Sequence, residues 1–294
     1  MSKGYHSSRT VEKPTDISSS GWKSIGFAVK DQIGEDNVSI VSAGVAFYAF
    51  LAVFPAIGAL VSIYGLAMDP QSLQDQLQKI AQVMPQQAFE IIETQLQDLV
   101  STPQSALSWS LIIGILLSLW SANKGMKSLF TGIDIAYGTN NERGFIKQNA
   151  LTLLFTFGAI LLVIISLGVI VIWPVIIDEI PLPSTVTALI TWLRWLILAA
   201  LVVYFIGLIY RYAPAKPTSD FKWVLPGALV ATLLWLIASW GFSFYVKNFG
   251  SYGEVYGSIS AVVVMLLWLF LTSIIVLLGA EINSETEKYS NSKA

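Results

Sequence analysis

The chain has no cysteine and only one histidine, His6, and each scarcity excludes a kind of chemistry. Without thiols there is no disulfide framework, no thiolate metal site and no cysteine nucleophile. A lone histidine in a polar leader leaves no imidazole pair for metal binding or acid–base work. No metal site, catalytic residue or organic cofactor is therefore expected. Charge is scarce too: Asp, Glu, Lys and Arg make up 12% of the 294 residues, about half the share of soluble domains. A net charge of −2 and a pI near 5.5 give no sign of a nucleic-acid partner.

What the chain has in abundance is apolar surface. Hydrophobic residues reach 54% and the mean hydropathy is +0.65. A soluble domain of that composition would leave too little polar surface to face water, so the expected class is an all-α, polytopic membrane protein.

A spanning helix needs about 20 mostly apolar residues. Six stretches meet that length, at about 40–67, 105–122, 149–177, 186–210, 223–246 and 257–280. Five carry no charge; the exception is Arg194 in the fourth. Orientation follows from lysine and arginine, which are retained on the cytoplasmic side. With the N-terminus inside, the inner segments hold fourteen of them and the outer loops only Lys79 and Lys247. Both termini are expected in the cytoplasm. Residues 1–21 read as a disordered leader without the apolar core of a signal peptide. Residues 22–284 read as one membrane domain and 285–294 as a cytoplasmic tail.

Three amphipathic segments flank the spans. Trp22, Ile25, Val29 and Ile33 form one face of a helix expected on the membrane surface. The outer loop 69–104 alternates at helical spacing before and after Pro85, as a cap or lid of two short helices. Met126, Leu129, Phe130, Ile133 and Tyr137 form a stripe expected to lie along the inner surface, with Lys124 and Lys127 off it near anionic headgroups. Trp109, Trp120, Trp173, Trp192 and Trp223 fall near span ends, where indole suits the headgroup region. Trp235, Trp240 and Trp268 fall deeper and are expected between helices.

Arg194 is the sharpest site signal. It lies about 12 Å inside the fourth span at helical rise, where a charge costs about 2.5–3.5 kcal/mol at the helix centre and less toward the interface. A wet cavity, a snorkelling path or a carboxylate would offset that cost, and Asp178, Glu179 and Glu254 are the outer candidates. Gly253 and Gly257 make the entry to the last span a candidate hinge, with Glu254 and Tyr256 between them. Pro55 is expected to kink or break the first span. Glu281 is expected at the inner interface, either solvated or paired with a basic residue such as Arg211.

Several strings carry a likeness. Leu119-Trp120-Ser121-Ala122-Asn123-Lys124-Gly125 is followed by Ala136-Tyr137-Gly138 and Glu142-Arg143. Then come Tyr210-Arg211-Tyr212-Ala213-Pro214, Pro226-Gly227-Ala228, Tyr252-Gly253, Tyr256-Gly257-Ser258 and Leu278-Gly279-Ala280-Glu281-Ile282-Asn283. With Ala46-Phe47-Tyr48 and Phe54-Pro55, their order resembles the YihY/BrkB family of bacterial inner-membrane proteins over about residues 25–284. That resemblance implies six spans in the bacterial cytoplasmic membrane. The family has also carried a ribonuclease BN label. RNA hydrolysis needs a metal-binding cluster or a histidine pair beside a basic groove, whereas Asp134, Glu142, Asp220 and Glu281 are scattered in the sequence. The nuclease reading is rejected.

The leading expectation is a transporter or flippase for an anionic lipid or other amphiphile in envelope biogenesis, not an enzyme. Arg194, Glu254, Tyr256, Lys124 and Lys127 are its candidate substrate-binding residues, and membrane lipids its partners. The alternative is a non-transporting scaffold for envelope-assembly proteins.

Overall fold

A computed structural model describes residues 13–67, 104–139, 143–178, 183–215, 220–248 and 258–292. After a 3-10 turn at Pro14–Asp16, these residues form seven α-helices. They are α1 (Ser19–Glu35), α2 (Val38–Ala67), α3 (Gln104–Ala136), α4 (Phe145–Asp178), α5 (Ser184–Tyr212), α6 (Phe221–Asn248) and α7 (Ser258–Asn291). Among the described residues, five stretches are long and apolar enough to cross a membrane: Val38–Ala59, Phe145–Ile170, Thr185–Tyr212, Phe221–Val246 and Ser260–Asn291. The stretch 105–122 is helical as the first part of α3, and there Ile112, Ile113, Leu116, Leu117 and Trp120 are exposed. Exposed leucine, isoleucine and phenylalanine also run along α4 at Leu154, Phe157, Leu161 and Ile164. Water would not tolerate such faces, whereas hydrocarbon does. The fold is that of a polytopic all-α membrane protein.

The chain divides into two compact units. The first comprises Met1–Val45, Met126–Tyr245 and Phe270–Ala294; the second comprises Ala46–Gly125 and Val246–Leu269. In the second unit α2 runs through Pro55 without breaking. Ser118 of α3 donates a hydrogen bond to the carbonyl of Ala52, 3.1 Å away and one turn before that proline.

The first unit holds the larger core. Phe130, Ile133, Tyr210, Val224, Leu277 and Ala280 are almost fully buried at its centre. The rings of Phe130 and Phe155 meet edge to face at 5.5 Å. This corrects the expected inner-surface helix. Nothing breaks α3 between Trp120 and Ala136, so Leu129, Phe130 and Ile133 continue into the core instead of turning along the membrane.

The N-terminal amphipathic helix is corrected in the same sense. Ser18 caps α1 by accepting from the Gly21 N–H at 3.2 Å. Ile25 and Val29 are buried with Ile17, and Ile282 and Tyr289 of α7 pack against them. Ile25 and Val29 of that face are thus covered by protein rather than by lipid, whereas Trp22 is exposed. Residues 13–18 of the expected leader are described and include the Pro14–Asp16 turn, and α7 runs to Asn291 within the expected tail, where Thr286 and Ser290 are buried. Two tryptophans differ in exposure from what their positions suggest. Trp223, at the start of α6, is buried within the first unit, whereas Trp240 is 76% exposed instead of packed between helices. Trp235 does pack between helices, its Nε1 donating to Thr272 Oγ1 at 3.3 Å.

Candidate functional site

Pro226 has no N–H to give the helix ladder, and the ladder near it is completed from another helix. In unbroken helix the Gly227 N–H would bond the carbonyl of Trp223. Here it donates to Asn283 Oδ1 of α7 at 2.7 Å, while Asn283 Nδ2 donates to the Val224 carbonyl at 3.0 Å. Asn283 is fully buried, so its amide serves as an internal bracket between α6 and α7. The bracket needs the two backbones to touch. A methyl at Gly227 would overlap the Gly279 carbonyl oxygen, and one at Gly279 would overlap the Tyr210 hydroxyl. Tyr210 of α5, also fully buried, donates to the Val276 carbonyl at 2.6 Å.

Beside this bracket is Glu281, 1% exposed, with neither carboxyl oxygen hydrogen-bonded. The carboxyl of Asp36, from the junction between α1 and α2, faces it, and Asp36 Oδ2 is likewise buried without a partner. Asn37 next to it takes the left-handed conformation (φ 51°) that turns the chain sharply into α2. The Tyr137 hydroxyl lies beside Asn283 without a well-formed hydrogen bond. Burial, followed by the nearby charges of Glu287 and Glu281, pushes that phenol far above its ordinary range, so it stays protonated.

A second knot ties the ends of α3 and α5. Asp134 is buried and accepts from Thr139 Oγ1 at 2.9 Å and from the Ala215 N–H at 2.7 Å. Gly138 closes the turn with φ +60°, which costs glycine nothing. Arg143 donates to the carbonyls of Tyr212 and Ala213, each at 3.0 Å, and to that of Pro214. One guanidinium therefore covers the carbonyl end of α5, where the helix dipole favours a cation.

Arg194 lies about 24 Å along α5 from Tyr210 at helical rise. It is 9% exposed although the flanking Trp192 and Trp195 are 73% and 50% exposed. The guanidinium sits over the Trp195 ring at 5.1 Å, and Nε makes no hydrogen bond among the described residues. The expected partners Glu179 and Glu254 lie outside the described residues, and of Asp178 only the backbone is described. Tyr256, Gly253 and Gly257 also lie outside them, as does all but the last residue of the loop 69–104. Lys124 stacks over Trp120 at 5.6 Å, and Lys127 donates to Asn149 Oδ1, so both are half-buried by protein contacts.

The suggested ion pair of Glu281 with Arg211 is not made. Arg211 stacks over Tyr212 at 5.6 Å, and Glu281 faces Asp36 instead. Nor is Glu281 solvated. Asp36, Tyr137, Tyr210 and Asn283 join the site only through the fold. The signal for Asn283 was its place four residues after Gly279, with Pro226-Gly227 elsewhere awaiting a partner.

Several long apolar helices, lipid-type exposure along them and buried polar side chains where they cross define the class: a polytopic α-helical membrane protein. The chain belongs to the family described as virulence factor BrkB, whose model matches residues 29–294. It is similar to a protein of Bacillus subtilis (strain 168) that carries the provisional name ribonuclease-like protein YfkH, at 30% identity over 255 residues, 84% of this chain and 89% of that one. It is also 43% identical over 84 residues to a UPF0761 membrane protein of Xanthomonas axonopodis pv. citri (strain 306), which is 29% of this chain and 20% of the relative. A UPF0761 membrane protein of Xanthomonas oryzae pv. oryzae (strain PXO99A) is 44% identical over 89 residues, 30% of this chain and 21% of that relative. No solved structure matches the chain.

Proposed function

We propose that the protein is a transporter or flippase for an anionic lipid or other amphiphile of the cell envelope. It would sit in the bacterial cytoplasmic membrane, crossing it six times with both termini inside. The observation that carries this reading is Arg194. A guanidinium at membrane depth is costly, and this one is 9% exposed, so snorkelling into a headgroup layer does not describe it. Among the described residues no carboxylate pairs with it. A charge so placed is stabilised by an anion that comes and goes, and the Trp195 ring holds it in position meanwhile. Lys124 and Lys127, on the inner half of α3, supply positive charge on the headgroup side.

RNA hydrolysis remains outside the proposal. Asp134 is committed to capping contacts, Asp220 to Lys222 at 3.3 Å, and Glu281 lies against Asp36. Those carboxylates converge on no common point, and among the described residues no three metal-ligating side chains gather.

The test is lipid flux in liposomes reconstituted with the purified protein, using fluorescent phosphatidylglycerol against phosphatidylcholine. Wild-type protein should move the anionic lipid, and Arg194→Gln should slow it at least ten-fold while leaving protein incorporation unchanged. Equal flux in both proteins would remove the role assigned to Arg194. No flux of any amphiphile in wild-type vesicles would remove the transport reading.

A further inference from the structure

The Glu281–Asp36 contact asks for something the surrounding protein does not supply. Both Glu281 oxygens and Asp36 Oδ2 are buried without a hydrogen bond. Two carboxylates have no donor to offer each other. An ionised carboxylate removed from water is costly unless it is paired, and two facing each other repel as well. The charged and titratable groups around the pair do not resolve this. Lys288 is half-exposed and bound to Glu285 at 2.7 Å. Glu285 and Glu287 on α7 add negative charge, and Tyr137 from α3 keeps its proton. The Asn283 amide is spent on Gly227 and Val224.

We propose that Glu281 and Asp36 hold one proton between them, and that this proton latches the α1–α2 junction onto α7. With the proton present, one carboxyl donates to the other, so two of the three buried oxygens become partners and only one negative charge remains. With it absent, two like charges meet beside the small apolar patch of Ile17, Ile25, Val29, Ile282 and Tyr289 that also holds α1. Loss of the proton then loosens α1 from α7. The site stands apart from the transport reading, because proton binding is measurable in a protein that moves nothing.

The experiment is infrared difference spectroscopy of the full-length protein in lipid nanodiscs, following the C=O stretch of protonated carboxyl groups as pH is raised. Near neutral pH the wild type should show a band that Glu281→Gln removes. Asp36→Asn, at a half-buried junction position, puts an amide N–H beside Glu281 that favours the ionised form. It should lower the pH at which the band disappears by about one unit or more, a ten-fold weaker hold on the proton. Amide exchange along 19–35 in wild-type protein should quicken over the same pH range in which its band is lost. The proposal is overturned if wild type has no such band at neutral pH, if Glu281→Gln keeps it, or if Asp36→Asn leaves the midpoint in place. It is overturned equally if α1 exchange ignores the transition, or if sodium at constant pH abolishes the band, which would assign the site to a metal cation.

Discussion

Replacing Asn283 with alanine removes both ends of the bracket between α6 and α7 at once. The Gly227 N–H and the Val224 carbonyl lose partners at 2.7 and 3.0 Å, at a side chain with no exposed surface. A buried group left unsatisfied costs about 1–3 kcal/mol. Hydrogen bonds between membrane helices average nearer about 0.6 kcal/mol, because the unfolded chain in a micelle also finds partners. Full burial and the backbone identity of both groups favour the upper scale, while partial re-formation of the Gly227 to Trp223 bond lowers it. The net expectation is a loss of about 2 kcal/mol. It can be read from unfolding in mixed micelles with sodium dodecyl sulfate, followed by tryptophan fluorescence. Asn283→Asp keeps the acceptor for Gly227 but loses the donor to Val224, and it adds a charge two residues from Glu281; it should be no better than alanine. Combined with Gly227→Ala, which already drives the helices apart, Asn283→Ala should add much less than it costs alone. A single Asn283→Ala variant within about 0.5 kcal/mol of wild type, the range of ordinary surface changes, would refute the bracket as a fastening.

Arg143→Lys keeps the charge but cannot reach the Tyr212, Ala213 and Pro214 carbonyls together, so it should destabilise the protein by about 1–2 kcal/mol in the same assay. Stability equal to wild type would mean that charge alone satisfies that helix end. Asp220→Asn removes the salt bridge with Lys222, whose side chains are 73% and 45% exposed, and should shift stability by less than about 0.5 kcal/mol. A larger loss there would show that the pair is more protected than its exposure implies.

The membrane class is legible in the sequence because bilayer thickness sets a length that apolar runs must meet, and α2 and α4 to α7 meet it. Side-chain facing is less so. Distance from a span end suggests a setting for Trp223 and Trp240, yet helix phase decides whether an indole meets protein or lipid. The stripe from Met126 to Tyr137 was read correctly as amphipathic, but an apolar face does not reveal what covers it. Here the cover is the core of the first unit rather than the membrane. The bracket was out of reach for a different reason. Tyr210, Gly227, Gly279 and Asn283 lie on three helices, and only their crossing turns an asparagine into the partner of a proline-broken ladder. For Glu281 the sequence offers solvent or a basic partner such as Arg211, because residues that meet only across the fold carry no mark of it. Its actual neighbour, Asp36, comes from the opposite end of the sequence.

Retention of anionic lipid by the purified protein decides whether Arg194 is a headgroup site. Native mass spectrometry from nanodiscs of mixed phosphatidylglycerol and phosphatidylcholine should find wild-type protein carrying the anionic lipid preferentially. Arg194→Gln should lose that preference, and Arg194→Lys should keep part of it. An anionic-lipid preference that survives Arg194→Gln undiminished would contradict the account.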